Sequence, residues 1–373
     1  MSTPIEAATA ATGAPGAPPA GRRRAVLGAL RETSGVARGM LLAGAGLVGV
    51  FVLMALLAPL IAPYGFNDDR AHGVDFVPLQ APSGAHWFGT TVGGEDVFSR
   101  VVYGAQTGLA VLILAVTLAI IVGVPLGLVS GYLGGWLDRV LVLITDALFA
   151  FPPLLLAIII SIAISGGNSS QAGGILAAGI SIMVVYVPQY FRVVRNATIS
   201  VREEPYVEAA RALGARPAAI MRRYVFANVI QSVPVIATVN AGDAILTLAG
   251  LGFLGFGIPP SAAAEWGYDV NKALADTAAG IWWTGVFPGL AIVLLVLGAS
   301  LVGESLNDVL NPLLRTRRLG SVIMPARAPR PVRGMIDRTA EPSSPAAEPG
   351  APVAEPSSPA AEPGAPADGE EPA

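Results

Sequence analysis

At 373 residues, 53% hydrophobic and 13% charged, with a mean hydropathy of +0.62, the chain lies far outside the balance of a soluble domain and reads as a protein solvated by lipid. It has no cysteine, which excludes disulfides, thiolate metal sites and cysteine nucleophiles, and no Gly-Lys-Ser or Gly-Lys-Thr, which excludes a phosphate-cradling loop in this chain. The formal net charge of -3 hides an asymmetry, because seven acids lie in the last 34 residues and the remainder is basic.

Residues 1–35 begin rich in Ala, Pro, Gly and Thr and continue through Arg22, Arg23 and Arg24. They bury too little apolar surface to offset chain entropy, so a disordered basic N-terminus is expected. Apolar runs follow at 39–61, 105–129, 140–164, 173–191, 228–256 and 281–303. The first is too long for the roughly 7–15 apolar residues of a signal peptide. Each run must be helical, because only a helix satisfies its own backbone within one segment of hydrocarbon. Six transmembrane helices are therefore expected over 36–316. With the N-terminus inside, sixteen arginines fall on inner segments, against Arg70, Arg100 and Lys272 on outer ones; this bias predicts that both termini are cytoplasmic.

Between the runs, an outer segment, 62–104, and an inner one, 192–227, are long enough to carry function. Past 316 the chain turns to Pro, Ala, Glu and Gly, and the unit AEPSSPAAEPGAPV recurs almost unchanged from Ala340 and Ala354. An extended, disordered tail over 317–373 is expected.

Single residues weigh differently. Asp243 falls mid-run, where an ionised carboxylate needs water or a partner. It either lines a path or makes a structural hydrogen bond to a neighbouring helix. Asp146 follows Arg139 by about two turns and is expected to pair with it. His72 and His86 make a poor metal site and are expected at the surface. The five tryptophans are expected as interfacial anchors. Pro125, Pro152, Pro153, Pro188, Pro234 and Pro288 are expected to interrupt helices. Gly250 to Gly257 permits close helix approach.

The inner segment has the punctuation of a short helix. Pro205 suits a first helical position and Gly214 a left-handed residue just past the end. Acids lie at the start and Arg211 near the finish, matching the helix dipole. A second start follows at Pro217. So short a helix is marginal alone, so it packs on its own membrane helices or lies in a groove of a cytoplasmic partner.

Glu208-Ala209-Ala210 followed by Gly214, within YVEAARALGARPAAIMRRYVFAN, resembles the EAA loop of ABC importer permeases of the dipeptide, oligopeptide and nickel type. In order along the chain, Pro82-Ser83, Phe88-Gly89-Thr90, Asp96-Val97-Phe98-Ser99-Arg100, Tyr103-Gly104-Ala105, GYLGGWLD from Gly131, DALFAFP from Asp146, LGFLGFGIPP from Leu251, Glu265-Trp266-Gly267 and FPGLAI from Phe287 are similar to that family's further motifs. The likeness is to the shorter-looped of two paired permeases. It departs at Thr91, Glu95, Gln106, Ala227 and Thr247.

The resemblance implies an all-α, type I ABC importer permease in the cell membrane. Its substrates would be di- or oligopeptides or related small solutes such as nickel chelates. It implies a heterodimer with a second permease, an extracytoplasmic binding protein and two ATPase subunits that hold ATP and Mg, with no cofactor, metal, catalytic residue or nucleic acid in this chain. Tyr206, Glu208, Ala209, Ala210, Arg211 and Gly214 would engage the ATPase, with Asp243 on the translocation path. The alternatives are a proton-coupled secondary transporter using Asp146 and Asp243, and a membrane scaffold without transport.

Overall fold

Hydrocarbon offers the backbone no hydrogen-bond partner, so long apolar runs become helices. The computed structural model, which describes residues 35–71, 73–165 and 170–310, is helical through most of that length. The tail 317–373, the first 34 residues and His72 lie outside the described residues. In chain order, α1 (Gly35–Leu56) and the single turn α2 (Ala58–Ile61) lead to a two-stranded hairpin, β1 (Arg70–Ala71) and β2 (Val74–Asp75), pairing Arg70 with Asp75. Then follow α3 (Val97–Leu133), α4 (Gly135–Ala150), α5 (Pro153–Ser165), α6 (Gln171–Arg202) and α7 (Pro205–Ala212). The short α8 (Pro217–Ile220) continues through a π turn (Met221–Val225), α9 (Phe226–Val229) and a 3-10 turn (Ile230–Ser232) into α10 (Val233–Phe253). Last come α11 (Trp266–Ala278) and α12 (Trp283–Leu310).

Among the described residues five helical stretches are long and apolar enough to cross a membrane, and a sixth counts only if α4 and α5, bent by 100°, form one broken span. The single helix expected over 140–164 is therefore an elbow. Its cause is local: Phe151 precedes Pro152 and takes the extended backbone that a following proline favours, and Pro153 opens the next helix. The other prolines do not interrupt. Pro125, Pro188 and Pro288 lie inside α3, α6 and α12, and Pro234 sits in the first turn of α10.

The main seam joins α3 to α6. Gly123, Gly127 and Gly131 stand four apart on one face of α3, and a methyl group at each would meet α6 at 2.7 Å from Tyr190 Cβ, 2.6 Å from the Phe191 carbonyl and 2.7 Å from the Arg195 carbonyl, respectively. The helices thus touch backbone to backbone, the small-residue packing that substitutes for hydrophobic drive in lipid.

At the other end of α3, residues 62–96 and α11 build a cap. Asp96 accepts from the backbone N–H of Ser99 at 2.8 Å, capping α3, and from His86 Nδ1 at 2.9 Å. His86 is buried beside Tyr64 and Phe76, which corrects its expected surface placement: its partner lies ten residues on, across a turn. Trp87, Trp136 and Trp282 are exposed as anchors should be, but Trp266 is buried, donating from Nε1 to the Val101 carbonyl at 3.0 Å. A Cβ at Gly104 would fall 2.2 Å from that nitrogen, so the Tyr103-Gly104-Ala105 and Glu265-Trp266-Gly267 motifs are two halves of one contact. Trp283 also donates inward, to the Thr90 carbonyl at 3.3 Å. Glu265 caps α11 through the N–H groups of Gly267 and Tyr268 at 2.8 and 2.9 Å. Its carboxylate presses on Gly252, where a Cβ would lie 1.5 Å from Oε2.

Two outcomes follow. Gly127→Ala should lower stability by about 1–3 kcal/mol, the usual cost of overpacking, seen as an earlier thermal midpoint in detergent, whereas Gly46→Ala, with nothing within 4 Å, should not. Burial pushes the Glu265 carboxyl up to about 8 against the pull of its two N–H donors. The folded chain then keeps a proton that the unfolded chain releases near its ordinary value, so this group's contribution is full below that value and drains away as pH rises to about 8. The thermal midpoint should fall between pH 5 and 8 (about this range), and Glu265→Gln should flatten the fall.

Candidate functional site

α6 ends at Arg202, and the chain turns at once. Glu204 adopts extended backbone before Pro205, which opens α7 without needing an N–H. At the far end the N–H of Ala215 donates to the Ala210 carbonyl at 3.1 Å, and the N–H of Gly214 to the Arg211 carbonyl at 3.0 Å, with Gly214 at φ +79°. This is a Schellman cap. It explains why Ala210 and Gly214 stand four apart: one supplies the carbonyl that closes the cap and the other the left-handed residue.

α7 divides its faces sharply. Val207 and Ala210 are buried against the body of the protein, while Glu208, Ala209, Arg211, Ala212 and Leu213 are exposed, Leu213 to 88%. Tyr206 is fastened at its hydroxyl, which accepts from the Asn228 amide at 3.2 Å. Tyr206, Glu208, Ala209, Arg211 and Gly214 therefore form one outward surface, with Ala210 beneath it.

The base of α7 is held by charge. Asp138 binds Arg195 through two bonds, Nε to Oδ1 at 2.5 Å and Nη2 to Oδ2 at 2.7 Å, and Ser130 also donates to it. Arg202 donates to the Gly131 carbonyl at 3.0 Å. Gly134 and Gly135, at φ +66° and +68°, make the sharp α3–α4 turn that brings Asp138 within reach. Asp138 lies in GYLGGWLD, yet the sequence gives no sign of its partner 57 positions on. Asp146 pairs not with Arg139 but with Arg192, at 2.9 Å, and Arg192 also lies 4.4 Å over the Phe149 ring. Seven residues along a helix are about 10 Å of rise, too far for a pair within α4.

Asp243 occupies the middle of α10 and is exposed on this chain's surface. It borders a cavity of about 320 Å³ between the α4–α5 elbow, α6 and α10. Gln189 and Tyr186 face it from α6, and Tyr186 and Thr247 share a hydroxyl hydrogen bond of 3.2 Å. Thr247, a departure from the resembled pattern, donates to the Asp243 carbonyl at 2.8 Å. Gln189 and Tyr186 carried no sequence signal, since both sit inside an apolar run. Among the described residues no group of three or more His, Cys, Asp or Glu is arranged to hold a metal.

The sequence profile of the family described as "Binding-protein-dependent transport system inner membrane component" matches residues 123–316. The dipeptide transport system permease protein DppC of Alkalihalophilus pseudofirmus is 39% identical over 269 residues, covering 71% of this chain and 83% of that protein. The glutathione transport system permease proteins GsiD of Pectobacterium atrosepticum and Escherichia coli O157:H7 are 36% and 38% identical, covering 72% and 74% of this chain and 86% and 87% of theirs. A structure of the MetNI methionine ABC transporter in inward-facing conformations aligns with a TM-score of 0.45 at 20% identity, over 57% of this chain and 96% of that one. Five to six apolar spans, a punctuated helix between the fourth and fifth runs and this pattern of relatives have one reading: the chain is a membrane permease of the binding-protein-dependent transport system inner membrane component family.

Proposed function

We propose that this chain forms one half of the translocation path of an ATP-driven importer of short peptides. It works with a second permease, two ABC ATPases that hold ATP and Mg, and an extracytoplasmic binding protein. The observation that carries the coupling role is the split face of α7. A helix rooted by Val207 and Ala210 but presenting Ala209, Leu213, Glu208 and Arg211 to solvent is shaped for a groove on another protein. The arginine bias supports a cytoplasmic position for that face. Relatives that carry dipeptides and glutathione support peptides as the solute class.

Movement of the ATPases is taken up as a rigid displacement of α7. The Asp138–Arg195 clamp passes it to α4 and α6, and the chain after α7 passes it to α10. The π and 3-10 turns between α8 and α10 are changes of helical winding of a kind that often marks hinges and functional sites. Asp243 lines the path: a carboxylate exposed midway along a spanning helix is costly against lipid, so a second subunit or water covers that face. The proton-coupled alternative gains nothing here, since Asp146 is already paired with Arg192.

Two outcomes test this reading. Glu208→Arg, and separately Gly214→Val, which forces a branched residue into left-handed backbone at about 1–2 kcal/mol, should reduce ATPase copurification about ten-fold, as expected where a partner contact worth over 1 kcal/mol is lost. Gly214→Asn should retain it. Unchanged copurification of both disruptive variants overturns the coupling role. Asp243→Leu should lower uptake of labelled dipeptide into cells while leaving copurification intact.

A further inference from the structure

A second cavity lies at the opposite end of the bundle from α7. It holds about 340 Å³ between residues 91–95, α11 and the start of α12, within the roughly 300–1,000 Å³ usual for small-molecule sites. Its charges are unevenly satisfied. Arg100 and Asp269 neutralise each other through two contacts, at 2.6 and 3.0 Å, and Arg100 also donates to the Phe66 carbonyl. Among the described residues the Glu95 carboxylate accepts only the hydroxyl of Thr91.

Asp276 stands apart. It is 8% exposed and lines the cavity, and its carboxylate has no hydrogen bond or ion pair to any described residue. Thr284, 4% exposed and lining the same cavity, has a hydroxyl without a partner among the described residues. Lys272 stands at the exposed mouth, its ammonium 5.4 Å over the Tyr268 ring and paired with no carboxylate among the described residues. The buried Thr284 hydroxyl, left unpaired, is costly unless something fills the space, and the Asp276 carboxylate opens onto that same space. Although Glu95, Asp269 and Asp276 all line the cavity, among the described residues no group of three or more His, Cys, Asp or Glu is arranged to hold a metal ion.

We infer that this cavity is a subsite for a small zwitterion, with Asp276, Glu95 and the Thr284 hydroxyl receiving its ammonium and Lys272 its carboxylate. An anion on the cavity wall and a cation at its mouth, neither paired with a charge among the described residues, match the two ends of an unblocked peptide. The choice of a peptide probe, though not the site itself, rests on the peptide-import reading.

Glycylglycine and N-acetylglycylglycine are titrated by saturation-transfer NMR against the full chain in nanodiscs of phosphatidylcholine, a lipid without primary ammonium. Saturable glycylglycine binding is expected, about ten-fold weaker for the acetylated probe and for Asp276→Asn, the loss expected when one charge-assisted bond goes. The exposed Lys272→Gln weakens glycylglycine too, and keeps the test decisive should Asp276→Asn fail to fold. Equal binding of the two probes, binding indifferent to the variants, or no saturable signal overturns the proposal. Competition by added phosphatidylethanolamine assigns the ammonium to lipid and overturns the solute assignment. ATPase copurification does not enter this measurement, so its outcome leaves the coupling test at Glu208 untouched.

Discussion

The structure depends most on the place where α3 and α6 meet without side chains between them. Gly123, Gly127 and Gly131 let the two backbones close to contact distance, and at that separation the Asp138 carboxylate just beyond α3 reaches Arg195 while Arg202 reaches the Gly131 carbonyl. A wider seam would leave these arginines short of their partners and α6 without a fixed end. The start of α7, three residues past Arg202, is thus fixed by a run of glycines far away in sequence, through packing in the apolar layer, while Val207, Ala210 and the Tyr206–Asn228 bond seat the helix itself.

Much of this was legible in the sequence, and the rest was hidden for identifiable reasons. α7 was readable to the residue because its limits are backbone rules: Pro205 fits only a first turn, and Gly214 supplies positive φ. The spans were readable from length and hydropathy, which count apolar residues but are blind to direction, so the elbow at Phe151–Pro152 passed as one helix. α11 escaped because thirteen amphipathic residues do not span a membrane. His86 and Asp146 were misplaced because each was judged against near neighbours, while the partners that fixed them, Asp96 and Arg192, arrive by tertiary folding. The glycine ladder of α3 is four-residue spacing plainly present in the sequence; the signal was available, but nothing in one chain says which helix it faces.

The two ends of the molecule solve the same problem differently. Near α7, ionic contacts are partly exposed: Arg195 and Asp138 keep 23% and 17% of their side-chain surface, and Arg192 and Asp146 about half. The half-exposed Arg192–Asp146 pair is weak and can be remade as helices shift, whereas the two-bond Asp138–Arg195 pair is the firmer of the two. At the opposite end the contacts are buried and specific: Trp266 over Gly104, Glu265 on Gly252, Arg100 on Asp269, Phe88 stacked 3.9 Å from Phe287. Removing one partner of a buried charge pair strands the other, at several kcal/mol. One end is built to stay and the other to yield.

That contrast bears on how a displacement of α7 would travel. A stiff helix moves as a lever only if some point along it is held. α10 is held at its far end, where Gly252 and Gly267 lie against Glu265 and the Ala249 carbonyl, and it is wound irregularly near α7, where the π and 3-10 turns interrupt its hydrogen bonding. Asp243 falls between the fixed end and the loose one, on the cavity beside the α4–α5 elbow. On the proposed coupling role, a push at α7 would swing the middle of α10 and the elbow relative to α6 while the buried cap stays closed, so the polar wall made by Gln189, Tyr186, Thr247 and Asp243 would be where that role changes the spacing.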